Sequence, residues 1–389
     1  MSTLSSTLTS EKQILVTEKT KPLKALSGLS KAEIKALIVK ELAWEGFRAE
    51  QVHSWIYSKS SSNISEWSNL SKEKKQELES KFQIPLLELA TLQTSKKDGT
   101  KKFLFKLSDG QMVESVLMRF KDRENLTACI SSQVGCAVGC PFCATGKLGL
   151  KRNLSSAEIV DQVMSIQRIT GEEVSNIVFM GQGEPLHNYS NVVEAIKILR
   201  ESAGIGVRHI TVSTSGLVPQ IVELGKTKLN INLAVSLHSA IQETREKLVP
   251  IAKRWNMLEL MRGLAQHFKD TGRRITFEYT LLKGINDSNE EAWALCDLLR
   301  DLSFPVLINL IPYNSTGKKN EAPSQPLMRS PAEQPVLTHF GEFQKPERVR
   351  IQQFKSIVER SGKKVTVRVT LGDDIDGACG QLANKVAES

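Results

Sequence analysis

Cys129-Ile130-Ser131-Ser132-Gln133-Val134-Gly135-Cys136-Ala137-Val138-Gly139-Cys140-Pro141-Phe142-Cys143-Ala144-Thr145-Gly146 contains four of the chain's six cysteines. Cys136, Cys140 and Cys143 read C-x3-C-x2-C, with glycines before the first two and Pro141 inside the last pair. Thiolates this close on a turning backbone can all face one point, which is a geometry for metal. Four ligands usually hold a cubane iron–sulfur cluster. Three leave one position open, as a catalytic metal site does and a structural one does not. A structural zinc knuckle and a disulfide cluster are the other readings of the spacing.

The flanking sequence alternates between strand and helix patterns. Leu126 to Ser131 is a strand running into the cysteine loop, and Ser155-Ser156-Ala157-Glu158 is a capping box for the helix after it. Further strands are expected at Asn176–Met180, His209–Thr214, Ile231–Ser236, Arg274–Leu282 and Val306–Ile311. Helices are expected from Asn191, after Val218, and from Met257 and Asn289. Six such repeats predict an α/β fold with a parallel sheet. The strands are apolar nearly throughout, as expected when both faces are covered. Upstream, Lys101–Leu107 and Gln111–Arg119 flank Ser108-Asp109-Gly110 and read as a hairpin. Downstream, 318–346 reads as a long surface loop, followed by a helix near Arg348–Ser361 and a strand near Lys364–Val369.

At the other end, residues 1–28 are rich in Ser, Thr and Lys without a steady apolar period and read as a disordered tail. Glu11 and Glu18 argue against an organelle transit peptide there. Ser30-Lys31-Ala32-Glu33 opens a helix that Gly46 is expected to end; a second helix runs through Val52, Trp55 and Ile56, and a third begins near Ser71. The domain reading is therefore 1–28 tail, 29–95 helical module and 96–389 barrel. Trp55, Tyr57 and Cys296 read as core residues.

Composition narrows the classes. The chain has 389 residues, 40% of them hydrophobic, and no apolar run long enough to span a bilayer. Six cysteines at this length are no secreted disulfide framework, and a labile cluster needs a reducing compartment, so the expectation is cytoplasm or an organelle interior. A net charge of +9 suits a polyanionic partner such as RNA.

The cysteine spacing resembles the radical S-adenosylmethionine (SAM) superfamily. The wider context resembles the RlmN/Cfr family of RNA adenine methyltransferases, on the RlmN side. It consists of Cys129 to Cys136, Gly181-Gln182-Gly183-Glu184-Pro185 and Gly372-Asp373-Asp374-Ile375-Asp376-Gly377-Ala378-Cys379-Gly380-Gln381. The resemblance implies an open partial (β/α)6 barrel with a small N-terminal helical domain that helps hold RNA. It implies a [4Fe-4S] cluster on Cys136, Cys140 and Cys143, and SAM held by Gly183, Glu184, Ser213, Ser236, Leu237, His238 and Asn314. Most of these residues fall at strand ends, where parallel α/β folds gather their sites. One departure is Gln182, where the family usually has Met.

The implied substrate is C2 of an adenine in 23S ribosomal RNA, with transfer RNA as a second substrate and a one-electron donor protein as partner. Such a ring carbon is electrophilic, so closed-shell methyl transfer from SAM fails and radical chemistry is needed. By resemblance, Cys379 takes a methyl from one SAM. A radical made from a second SAM removes a hydrogen from that methyl, and the methylene adds to adenine. Glu114 then accepts a proton, and Cys129 releases the RNA, leaving a Cys129–Cys379 disulfide. The rivals are a Cfr-like C8 methyltransferase, which the cysteines do not separate from C2 chemistry, and a non-enzymatic RNA-binding protein with structural metal.

Overall fold

The computed structural model describes residues 23–84, 87–120, 124–316 and 342–384. Ten strands form one sheet: β1 (Glu88–Thr94), β2 (Lys101–Lys106), β3 (Met112–Arg119), β4 (Leu126–Cys129), β5 (Val174–Phe179), β6 (Ile210–Thr214), β7 (Asn232–Ser236), β8 (Ile275–Leu281), β9 (Val306–Pro312) and β10 (Lys364–Val367). Their order across the sheet is their order in the chain. From β4 to β10 every neighbour pair is parallel, while β1 to β4 pair antiparallel. The hairpin at Asp109-Gly110 forms as the turn chemistry requires: Gly110 has φ +81°, and Asp109 accepts a hydrogen bond from the Gln111 amide.

β4 to β9 are each followed by a helix, at Ser156–Thr170, Tyr189–Glu201, Val218–Lys226, Met257–Thr271, Asn289–Arg300 and Arg348–Glu359. These are the units of the open partial barrel, and β10 closes the series. The strands, however, are not apolar on both faces. Thr127, Asn176, Thr211, Thr276, Glu278, Asn309 and Thr366 line an interior cavity of about 1320 Å³. Only the outer face packs on helices, so β6 and β9 alternate buried and half-buried residues. A barrel that stays open has no full layer of side chains in its middle.

The N-terminal part differs from the expectation in three places. Lys24–Ala25, assigned to the tail, pairs with Phe82–Gln83, and Leu26 is fully buried. Gly46 begins the second helix, Gly46–Tyr57; the first, Lys31–Leu42, stops at Ala43 in the left-handed region. Residues 88–94, counted with the helical module, form edge strand β1 of the barrel sheet, and most of their side chains are exposed. The residues before Leu23 lie outside the described residues.

Tyr57 is core, as expected, whereas Trp55 is half-buried, stacked on Trp67 with Lys59 over its face. Cys296 is buried, as its helical surroundings suggested. Asp161, on the first barrel helix, accepts hydrogen bonds from Ser27, Leu87 and Arg168, so one buried carboxylate ties both ends of the module to the barrel. Most of the loop expected at 318–346 lies outside the described residues. Among the described residues no helix is long and apolar enough to cross a membrane.

Candidate active site

The cysteine loop follows β4 and is braced by a short ribbon, Gln133–Gly135 against Leu150–Asn153. Gly135 has φ +76°, and a Cβ there would lie 1.8 Å from the Gly149 carbonyl oxygen, so only glycine lets the two segments cross. Cys136, Cys140 and Cys143 are free and half-buried. Burial, with repulsion from Glu184 and the neighbouring sulfurs, pushes the Cys136 thiol up to about 12 and Cys140 well above its ordinary value. The Val138 and Gly139 amides oppose this at Cys136. Among the described residues no three ligating side chains close on a single ion. A cubane spreads its thiolates over separate irons. Cys136 and Cys140, thiols that resist ionisation beside a third cysteine, are donors that a cationic cluster would relieve, and in that respect these residues fit one.

Beside the loop, the strand ends form a continuous wall. Gly183 has φ +101°, and a Cβ there would meet Gln133 Cβ at 2.6 Å. Glu184 is buried, and its carboxylate accepts from the Ser215 amide and hydroxyl, both at 2.7 Å, and from the Leu186 amide at 3.0 Å. Burial raises its pKa, and those hydrogen bonds work against the rise. Ser213 and Ser236 are half-buried at the ends of β6 and β7, and Leu237 is fully buried. His238 holds φ +59°, uncommon for a residue with a side chain. Its Nδ1 accepts the Thr280 amide at 2.9 Å, and its ring meets Phe142 edge-on. Burial, with Arg245 nearby, pushes the imidazole down to about 3, so it is neutral.

Arg245 was not among the sequence candidates. It is buried and donates to the Ser236, Leu237 and Ser215 carbonyls at 2.8, 2.5 and 2.7 Å. One guanidinium thus clamps the ends of two strands. Its position in a short helix, Gln242–Leu248, carries no local signal of this.

The C-terminal segment returns across the barrel mouth. Asp374 accepts from Ser95 and the Lys96 amide, the Gly372 amide donates to Asp98, and Gln381 donates to the Ser315 carbonyl. Asn314 donates to the Cys379 carbonyl at 3.2 Å. Cys379 is solvent-accessible yet surrounded by the mouth of the barrel, and burial raises its pKa. The Cys129 thiol, at the end of β4, is buried and pushed up to about 12 by that burial and by Cys379. Arg368, whose guanidinium donates to Met180 Sδ at 3.4 Å, opposes both shifts through its charge. It too escaped the sequence reading; just after β10, it looks like any arginine at a strand end. Glu114 on β3 is fully buried, with Oε1 3.2 Å from Lys102 Nζ.

Residues 130–311 match the model of the radical SAM superfamily, and residues 24–84 that of the ribosomal RNA large subunit methyltransferase N-terminal domain. A probable dual-specificity RNA methyltransferase RlmN of Clostridioides difficile is 40% identical, over 92% of this chain and 97% of that one. One described in the same words from Desulforamulus reducens is 44% identical, over 92% and 96%. The crystal structure of a radical SAM methyltransferase from Sphaerobacter thermophilus superposes with a TM-score of 0.82 at 38% identity, covering 93% of this chain and all of that one. With the open barrel, the three-cysteine loop and the N-terminal module in place, these likenesses settle the kinship: the chain belongs to the RlmN family of radical SAM RNA methyltransferases.

Proposed function

We propose that the chain methylates C2 of an adenine in 23S ribosomal RNA, at the peptidyl transferase centre, and in transfer RNA, carrying the methyl group as S-methylcysteine on Cys379. Cys136, Cys140 and Cys143 would hold a [4Fe-4S] cluster, and the wall formed by Gly183, Glu184, Ser213, Ser236, Leu237, His238 and Asn314 would hold SAM. Bound there and given one electron by a donor protein, the pair would supply the carbon radical that a closed-shell site cannot make.

The chain's own residues do the rest. The Cys379 sulfur acts as the nucleophile that takes the methyl, and Arg368 beside it favours the thiolate that attacks. The neutral His238 ring packs on Phe142 of the cysteine loop and fixes that side of the pocket. Glu114 accepts a proton from the tethered nucleotide. Cys129 attacks the Cys379 sulfur, and the S–S bond that forms replaces the bond to RNA. The observation that carries this reading is the return of the chain's far end to the first parallel strand, where Leu382, three residues beyond Cys379, packs against Cys129. A structural metal knuckle gives neither sulfur a reason to be there.

The test is Cys129→Ala expressed in cells. It should stall with RNA bound covalently to Cys379, visible as a ribonuclease-sensitive shift on denaturing gels and as a nucleotide-bearing Cys379 peptide. Normal turnover with no trapped nucleotide would remove Cys129 from the mechanism. Mass spectrometry of adenosines from the product separates C2 from C8 methylation.

A further inference from the structure

Gln182 departs from the family's pattern and is fully buried, yet nothing in the chemistry above uses it. Its side chain bridges two parts of the site. Oε1 accepts the Glu114 amide at 3.4 Å, and Nε2 donates to Asn384 Oδ1 at 2.7 Å. Asn384 holds φ +56°, and in that left-handed turn two successive amides point the same way. The Ala383 and Asn384 N–H groups both donate to Glu114 Oε2, at 2.7 and 3.0 Å, while Asn384 Nδ2 donates to the Met112 carbonyl at 2.9 Å. One residue earlier, Leu382 is buried in a small apolar cluster with Val116, Met118 and Cys129. Its carbonyl accepts from Thr145 beside the cysteine loop.

We propose that Leu382-Ala383-Asn384 is an autoinhibitory latch, with the Gln182–Asn384 hydrogen bond as its catch, which covers Glu114 and Cys129 until RNA binds. The proposal rests on the reading of Glu114 and Cys129 as the residues of the release step. As the segment lies, Glu114 Oε2 is taken by two backbone donors and the Cys129 thiol is under a leucine. Neither can meet a nucleotide there. The latch is only a few residues beyond Cys379, so lifting it also frees the loop that carries the methyl group. A methionine at 182 would keep the volume and lose both hydrogen bonds, so the catch is a property of this chain's glutamine.

The experiment uses the full chain, reconstituted anaerobically with its cluster. Iodoacetamide labelling of Cys129, followed by peptide mass spectrometry, reads how often the latch lifts. Gln182→Met and Asn384→Ala should each speed labelling about tenfold, the scale set by one buried hydrogen bond. The double variant should fall well short of the product of the two, because both break the shared Gln182–Asn384 contact. A ribosomal RNA fragment transcribed in vitro and bound, as judged by gel shift, should lower hydrogen-exchange protection at 383–384. Wild-type labelling rates in both variants would overturn the latch, as would bound RNA that leaves 383–384 protected. Methylation products are measured separately. A latch that lifts in an enzyme that methylates no adenine C2 refutes the reading of the chemistry and leaves the latch standing.

Discussion

The two sides of the barrel mouth are built differently. On the wall from Gly183 to His238, buried polar groups satisfy one another: Glu184 with Ser215 and Leu186, and Arg245 with three carbonyls. On the arc from Gly372 to Asn384 the chain has no regular element beyond one short turn, Asp373–Ile375, and it hangs from side chains of other segments. A buried network with most of its partners made is rigid, because opening it leaves several groups unpaired at once. A segment without helix or sheet, held at a few separate anchor points, opens locally without unfolding the rest. The wall suits a cofactor that must be held still. The arc suits a cysteine that must meet a methyl donor, a nucleic acid and a second cysteine in turn.

The largest expected effect is on the wall and depends on pH. His238 is neutral in the fold with its pKa pushed down to about 3, but takes up a proton near pH 6.5 when unfolded. Between those values the unfolded state binds the extra proton, so stability is complete above pH 6.5 and is lost as pH falls toward 3. The loss should be on the order of 4 kcal/mol, read by denaturant titration across that range. His238→Asn keeps an acceptor for the Thr280 amide and tolerates the left-handed backbone, so it should flatten this slope. An unchanged slope would show that other groups set the acid limit. Next comes Arg245→Leu. It takes the arginine's donors from the Ser215 and Ser236 carbonyls, leaves Leu237 only the Ser239 amide, and should cost roughly 3 kcal/mol in the same titration at neutral pH. A cost under about 1 kcal/mol would mean that the clamp is not a clamp. The smallest global effect belongs to the arc. Asp374→Ala frees Ser95 and Lys96 in partly exposed surroundings and should cost only about 0.5 kcal/mol. Its signature is local: faster labelling of Cys379 by iodoacetamide at nearly unchanged global stability.

Much of this was legible in the sequence, and the division follows the same contrast. The strands, the helices and the capping boxes at Ser30 and Ser155 are local patterns, and the structure has them. Gly46 misled because glycine both ends and begins helices, and here Ala43 takes the left-handed stop. The segment 88–94 misled because an exposed edge strand lacks a strong apolar face. The two-residue strand at Lys24 has too few residues to carry a pattern at all. The site divides similarly. The cysteine loop and the glycines announce themselves by spacing. Arg245 reaches across to Ser215 as well as to nearby Ser236 and Leu237, and Gln182, noticed only as a departure, acts through Asn384, 202 residues on; neither pairing shows in a local pattern. Asn314, read as a cofactor contact, supports the Cys379 carbonyl here, a pairing that only the fold brings together.

Native-state hydrogen exchange on the reconstituted enzyme tests the division between wall and arc most directly, because it reads both in one sample. The Ser215 amide, held by Glu184, and the Leu237 amide, held by the Glu278 carbonyl, should exchange only with global unfolding. The Gly377, Ala383 and Asn384 amides should exchange through local opening, at least about a hundredfold faster. Arc amides as slow as those of the wall would contradict the account, since a single rigid mouth could not deliver Cys379 to its successive partners.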